Sequence, residues 1–215
     1  GLPRQYTENS LSGFSQLQAT RLRAVEFDIR LSADGIPVVF HDLNLKRLTG
    51  HDATIHDLSF ADLPPLHNGE RIPSLSQVLE ALPSDMTVHA EFKDAEAVIP
   101  ADAIMRRFTG RVIGSSFLPE ALIALHANDW PVLALFEGPA YREGLSRIQS
   151  CLPPAMIGLS AEQAMQPAAD WLLELGIPLY AFTVNDYASA AHLRHKGWAG
   201  IYSDIAEPLQ AELAR

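Results

Sequence analysis

The chain of 215 residues holds a single cysteine, Cys151. One thiol makes neither an internal disulfide nor a cysteine-based zinc site, so neither staple explains the fold. Basic residues are scarce, 16 against 26 acidic ones, leaving a formal charge of −10. A chain this acidic is a poor tracker of phosphate backbones, which sets nucleic acid aside as a partner. No uninterrupted apolar run approaches the roughly 18 residues that a membrane span needs, so no stable membrane insertion is expected. A fixed-period repeat is also lacking. What remains is globular: hydrophobic residues make up 47% and charged ones 20%, outside the range of disordered chains.

Short β-rich runs alternate with amphipathic segments. Helices are predicted over 9–22, 74–82, 95–108, 119–128, 140–151, 161–175, 186–196 and 205–214, with Asn9 or Ser10 capping the first and Ser74 the second. Strands are predicted over 23–31, 87–93, 111–116, 132–136, 156–160, 179–184 and 200–203. Seven strands and eight helices alternate, beginning with a helix. One further strand before Gly1 would complete a (β/α)8 TIM barrel, with an open doubly wound sheet as the alternative α/β arrangement. Gly1 is not a start methionine, so an N-terminus continuing upstream is expected.

One stretch, 32–73, interrupts the alternation. Asp34-Gly35 lies between two apolar runs and predicts a β-hairpin, and the rest is rich in turn residues. A single domain over 1–215 is expected, with 32–73 inserted after the second barrel strand, on the C-terminal face where such barrels place their sites.

In the strand Val25-Glu26-Phe27-Asp28-Ile29, alternation sends the apolar residues one way and both carboxylates the other. In a barrel those carboxylates face inward, which is costly unless a cation meets them; on an exposed edge they would only be wet. The strand 87–93 repeats the pattern, with His89, Glu91 and Lys93 on one face. A Glu91–Lys93 pair is the bland reading there, although same-face neighbours two apart start distant. A third carboxylate beside the first two makes an oxygen-only cluster suited to Mg²⁺ or Ca²⁺ rather than Zn²⁺. A hairpin turning at Asp34-Gly35 sets Asp28 opposite His41 within one residue of register, folding an imidazole toward the cluster as a proton donor. His51, His56 and His67 lack ligand spacing and are expected at the surface without a role.

Several stretches resemble the glycerophosphodiester phosphodiesterase family along essentially the whole chain. They are Gly1 with Glu8-Asn9-Ser10, the run from Glu26 to Asp42, Ile72-Pro73-Ser74-Leu75, Glu91-Phe92-Lys93, Ser116-Phe117, Phe182-Thr183-Val184-Asn185 and 200–204. The resemblance implies a TIM barrel with a small inserted subdomain and one divalent cation, Mg²⁺ or Ca²⁺, held by Glu26, Asp28 and Glu91. It implies that His41 is one of two acid/base histidines, that Lys93 faces the substrate phosphate, and that Glu8 and Asn9 shape the pocket floor. Phe182, standing where the family often has Trp, belongs to the substrate side. The family pattern opens His-Arg-Gly, so the second histidine, a phosphate-binding arginine and the first strand are expected just before Gly1. The implied activity is hydrolysis of small glycerophosphodiesters, such as glycerophosphocholine or glycerophosphoethanolamine, to sn-glycerol 3-phosphate and an alcohol. The alternatives are a phospholipase-D-like enzyme acting on lysolipids, or a ligand-binding barrel without turnover if the chain starts at Gly1. Cytoplasmic placement is expected from the lone cysteine and the likeness to compact members.

Overall fold

The computed structural model describes residues 2–214. Gly1, which opens the family-like pattern, lies outside the described residues. The chain divides into two compact units, Gly1–Gly114 and Ser115–Arg215.

The first unit begins with α1 (Leu11–Ser15), whose Ser10 cap accepts the Gly13 N–H. A tighter 3-10 turn, Gln16–Ala19, ends the segment, so the helix is shorter than the 9–22 expected. Thr20 stops it: its backbone is extended and its hydroxyl donates to the Leu17 carbonyl, satisfying a group that another turn would have used. Strand β1 (Ala24–Leu31) carries Val25, Phe27 and Ile29 into the core, with Phe27 meeting the Phe14 ring edge-on at 5.7 Å. It pairs antiparallel with β2 (Pro37–Val39), giving the expected hairpin. Its turn needs Gly35, which sits at φ +77°.

Beyond β2 lies a small core of its own. Val38, Phe40, Leu45, Ile55, Leu63, Leu66 and Ile72 pack together, drawn from β2, from the approach to α2 (Lys46–Thr49) and from the turns around Ile55–Asp57 and Phe60–Asp62. The stretch that reads as loop-rich is therefore a folded unit, stitched to the hairpin by the Asp34 carboxylate accepting the Phe60 N–H at 2.9 Å. Helix α3 (Leu75–Ala81) starts on a reciprocal Ser74–Gln77 capping box.

Strand β3 (Thr87–Phe92) runs parallel to β1, placing Glu26 beside His89 and Asp28 beside Glu91. Just past it, buried Asp94 accepts the Leu31 N–H at 3.0 Å, Arg30 Nη1 at 2.7 Å and contacts His56 Nε2 at 2.9 Å. Arg30 Nε in turn donates to the His41 carbonyl at 2.8 Å. One carboxylate thus ties the ends of both strands to the insertion. Helix α4 (Val98–Met105) follows a 3-10 turn, and β4 (Arg111–Ser116) carries the chain into the second unit.

The second unit alternates α5 (Pro119–Ala127), β5 (Val132–Phe136), α6 (Tyr141–Cys151), β6 (Met156–Ser160), α7 (Ala161–Ala164), β7 (Leu179–Phe182), α8 (Tyr187–Lys196), β8 (Gly200–Ile201) and α9 (Ala206–Leu213). Strands β5 to β8 pair in order and in parallel, and β5 is buried along its whole length. The expected helix over 161–175 breaks in two. Pro167 pushes Gln166 to an extended conformation and removes an N–H, so α7 stops and a separate 3-10 stretch, Pro167–Leu175, begins. No helix among the described residues is long and apolar enough to cross a membrane.

Candidate active site

The parallel register of β1 and β3 gathers three carboxylates. One oxygen from each of Glu26, Asp28 and Glu91 lies within 4.8 Å of the other two. Asp28 and Glu91 are cross-strand partners, and Glu26 is two residues back on the same face. Among the described residues this is the only such cluster.

Burial makes the cluster electrostatically tense. Desolvation raises the Glu26 carboxyl well above its usual range, and the charges of Asp28 and Glu91 push it further. Glu91 is also raised by burial, against the pull of Lys93. Burial works against the Lys93 ammonium, yet Asp28 and Glu91 win and hold it more firmly protonated. Its Nζ lies 3.2 Å from Asp28 Oδ1 and makes a close ion pair with Glu91. The flexible lysine stem closes the gap that strand geometry leaves between positions 91 and 93. Asn9 joins from the other side, donating from Nδ2 to Asp28 Oδ2 at 2.9 Å, from a buried position with φ +55°.

The donor set fits a hard divalent cation. All three groups offer oxygen, and Glu26 Oε1 is buried with no hydrogen-bond partner, an acceptor that a cation would satisfy. One ammonium cannot answer three carboxylates.

The hairpin register pairs Ile29 with Val39, which puts Phe40 opposite Asp28 and joins them by the Phe40 N–H to Asp28 carbonyl bond at 3.0 Å. His41 is one residue beyond, inside the tolerance of the sequence-based register. Its ring is half exposed, and its charge is near enough to Glu91 to lower that carboxyl. Nδ1 lies 2.7 Å from Asp42 Oδ1. Asp42 is gripped by Arg47 through Nε at 2.6 Å and Nη2 at 3.0 Å, and this fork pulls its carboxyl down to about 2.

Glu26, Asp28, Glu91, Lys93 and Asn9 therefore converge, and the charge of His41 reaches Glu91. Glu8 turns instead to Arg47, which donates from Nη1 at 2.9 Å and from Nη2 at 2.5 Å. Phe182, in the second unit, meets the Phe117 ring edge-on at 5.6 Å. His56 lies at the surface as expected, though its ring also reaches buried Asp94. Sequence reasoning assigned nothing to Asp42, Arg47, Arg30 or Asp94. Only Asp42 carried a signal, as the neighbour of His41; Arg47 reaches Glu8 across 39 residues, and Asp94 reaches His56 across 38 and Arg30 across 64.

A family model described as the glycerophosphoryl diester phosphodiesterase family matches residues 1–207. The named probable glycerophosphodiester phosphodiesterase 2 of Mycobacterium tuberculosis is 33% identical over 113 residues, covering 51% of this chain and 42% of that protein. The chain spans about half the length, or less, of the curated relatives it matches. Among solved structures, a glycerophosphodiester phosphodiesterase of Thermotoga maritima superposes with a TM-score of 0.84 at 28% identity, covering 99% of this chain and 95% of that one. A phosphodiesterase of Oleispira antarctica, solved in complex with the product sn-glycerol-3-phosphate, gives a TM-score of 0.88 at 24% identity and covers 100% and 94% of the two chains. The fold class is accordingly α/β of the (β/α)8 kind. With the acidic strand pair in register and a family match running through nearly every element, this chain belongs to the glycerophosphoryl diester phosphodiesterase family.

Proposed function

We propose that this protein hydrolyses glycerophosphodiesters to sn-glycerol 3-phosphate and an alcohol. The observation that carries the reading is the convergence of Glu26, Asp28 and Glu91 on one point, with the charge of His41 reaching Glu91. Oxygen-only donors favour Mg²⁺ or Ca²⁺, with those three residues holding the ion. When bound, the ion supplies electrophilic stabilisation of charge on a non-bridging phosphate oxygen. Lys93, held protonated at the cluster, adds a second positive charge for the phosphate. As water adds to phosphorus and the bond to the leaving oxygen breaks, His41 in its protonated form gives that oxygen a proton, so the alcohol departs neutral; the attacking water's proton passes to solvent, from which the ring is recharged. Asn9 keeps Asp28 oriented through its amide. Residues 32–73 serve as the inserted subdomain that delivers His41. The Oleispira protein's bound product matches the phosphate and glycerol chemistry of this reading.

The test is turnover of glycerophosphocholine and glycerophosphoethanolamine by the full-length protein with Mg²⁺ or Ca²⁺, beside micellar lysolipid. His41→Ala should lower kcat by about 10²–10⁴-fold while substrate binding survives. Near-full kcat in that variant overturns the role of His41, and turnover of lysolipid alone overturns the substrate class.

A further inference from the structure

The residues from His41 to Glu8 form a line of alternating charge. The His41 ring meets Asp42, Asp42 meets Arg47, and Arg47 meets Glu8. The Arg47 guanidinium makes two bonds to each carboxylate, so four of its five N–H donors are committed between them. Asp42, ionised at any working pH, can only accept, so Nδ1 of His41 must be the donor. That assigns the neutral ring its proton on Nδ1 and leaves Nε2 as the atom that exchanges protons.

We infer that Glu8 is a positioning residue: through Arg47 and Asp42 it fixes the His41 tautomer and keeps Nε2 as the proton-exchanging atom. The inference rests on the proton-donor role of His41 and departs from a place for Glu8 on the pocket floor. Glu8 divides the Arg47 charge. Without it, that charge bears on Asp42 alone, and Asp42 stabilises the imidazolium less. Arg47 also loses the anchor that aims its fork. Side-chain exposures of 49% for Arg47 and 33% for Glu8 mean the line adds little to folding stability. Its effect should therefore be on the ring.

The test combines kinetics with imidazole ¹⁵N spectra of the full-length protein. Wild-type His41 should show the Nδ1–H tautomer when neutral; an Nε2–H tautomer overturns the inference without any variant. Glu8→Gln should lower kcat about tenfold with KM changed less than about twofold and thermal midpoint nearly unchanged. Arg47→Lys, which keeps the charge but loses the fork, should fall comparably. Asp42→Asn should lower kcat by about 10²-fold or more and shift the ring toward Nε2–H, because an amide donates to Nδ1. A Glu8→Gln protein with raised KM and intact kcat shows Glu8 contacting substrate and overturns the inference. Failure of the wild type to hydrolyse any glycerophosphodiester sinks the activity, while the tautomer still decides the line of contacts.

Discussion

Glu26 offers a direct reading of what the acidic cluster is for. Like charges at most 4.8 Å apart repel by about 3.5 kcal/mol or more per pair at an effective dielectric near 20. The protein relieves this by keeping Glu26 protonated well above its usual range, chiefly through burial. A raised carboxyl favours the folded state at low pH: its contribution is complete below the unfolded value near 4.5 and is lost as pH rises through the folded one. The cation-free protein should therefore lose stability through that window. A bound ion should reverse the trend and displace the proton. Titration calorimetry of Mg²⁺ or Ca²⁺ at several pH values, in buffers of different ionisation enthalpy, should show proton release on binding wherever Glu26 is still protonated. At an ion concentration of about 100 Kd the stabilisation is about 2.7 kcal/mol, or about 5–10 °C in midpoint for a domain this size. Glu26→Gln should abolish the proton release and weaken binding on the order of 10²-fold, about 2.7 kcal/mol. Heats independent of buffer between pH 5 and 8, or undiminished affinity in Glu26→Gln, would refute the reasoning.

Two predictions concern the scaffold of the site. Ile55 is fully buried in the insertion's own core beside Phe40, so Ile55→Ala should cost about 2–5 kcal/mol in urea unfolding, and kcat should fall as His41 loosens; a loss under about 1 kcal/mol would mean that core is not continuous. Gly110 has no room for a side chain, because an added Cβ would come within 2.2 Å of the Met86 carbonyl and 2.6 Å of the Phe108 ring. Gly110→Ala should thus destabilise by more than about 2 kcal/mol, measured by thermal or urea unfolding, and a neutral variant would contradict the packing.

The acidic cluster was legible because strand alternation is local. Glu26 and Asp28 share a face by parity alone, and Glu91 needed only the same parity on the next parallel strand. The hairpin was equally readable from Asp34-Gly35, and its register came out one residue from the observed one. The break at Pro167 was hidden because the apolar period continues across it, so pattern outweighed a single missing N–H. The insertion's core escaped notice because its members come from irregular backbone, where no period marks an inward face.

The sequence by itself determined which groups the proposed chemistry draws on: three carboxylates, a lysine and an imidazole, each set on its face by alternation or by a turn. Only the tertiary structure decided what those groups lean on. The partners of Glu8, Asp94 and Arg30 are side chains 39, 38 and 64 residues away, respectively Arg47, His56 and Asp94. Such pairs follow from where loops close in space, and loop closure depends on packing of the whole segment rather than on any local preference of the residues that meet.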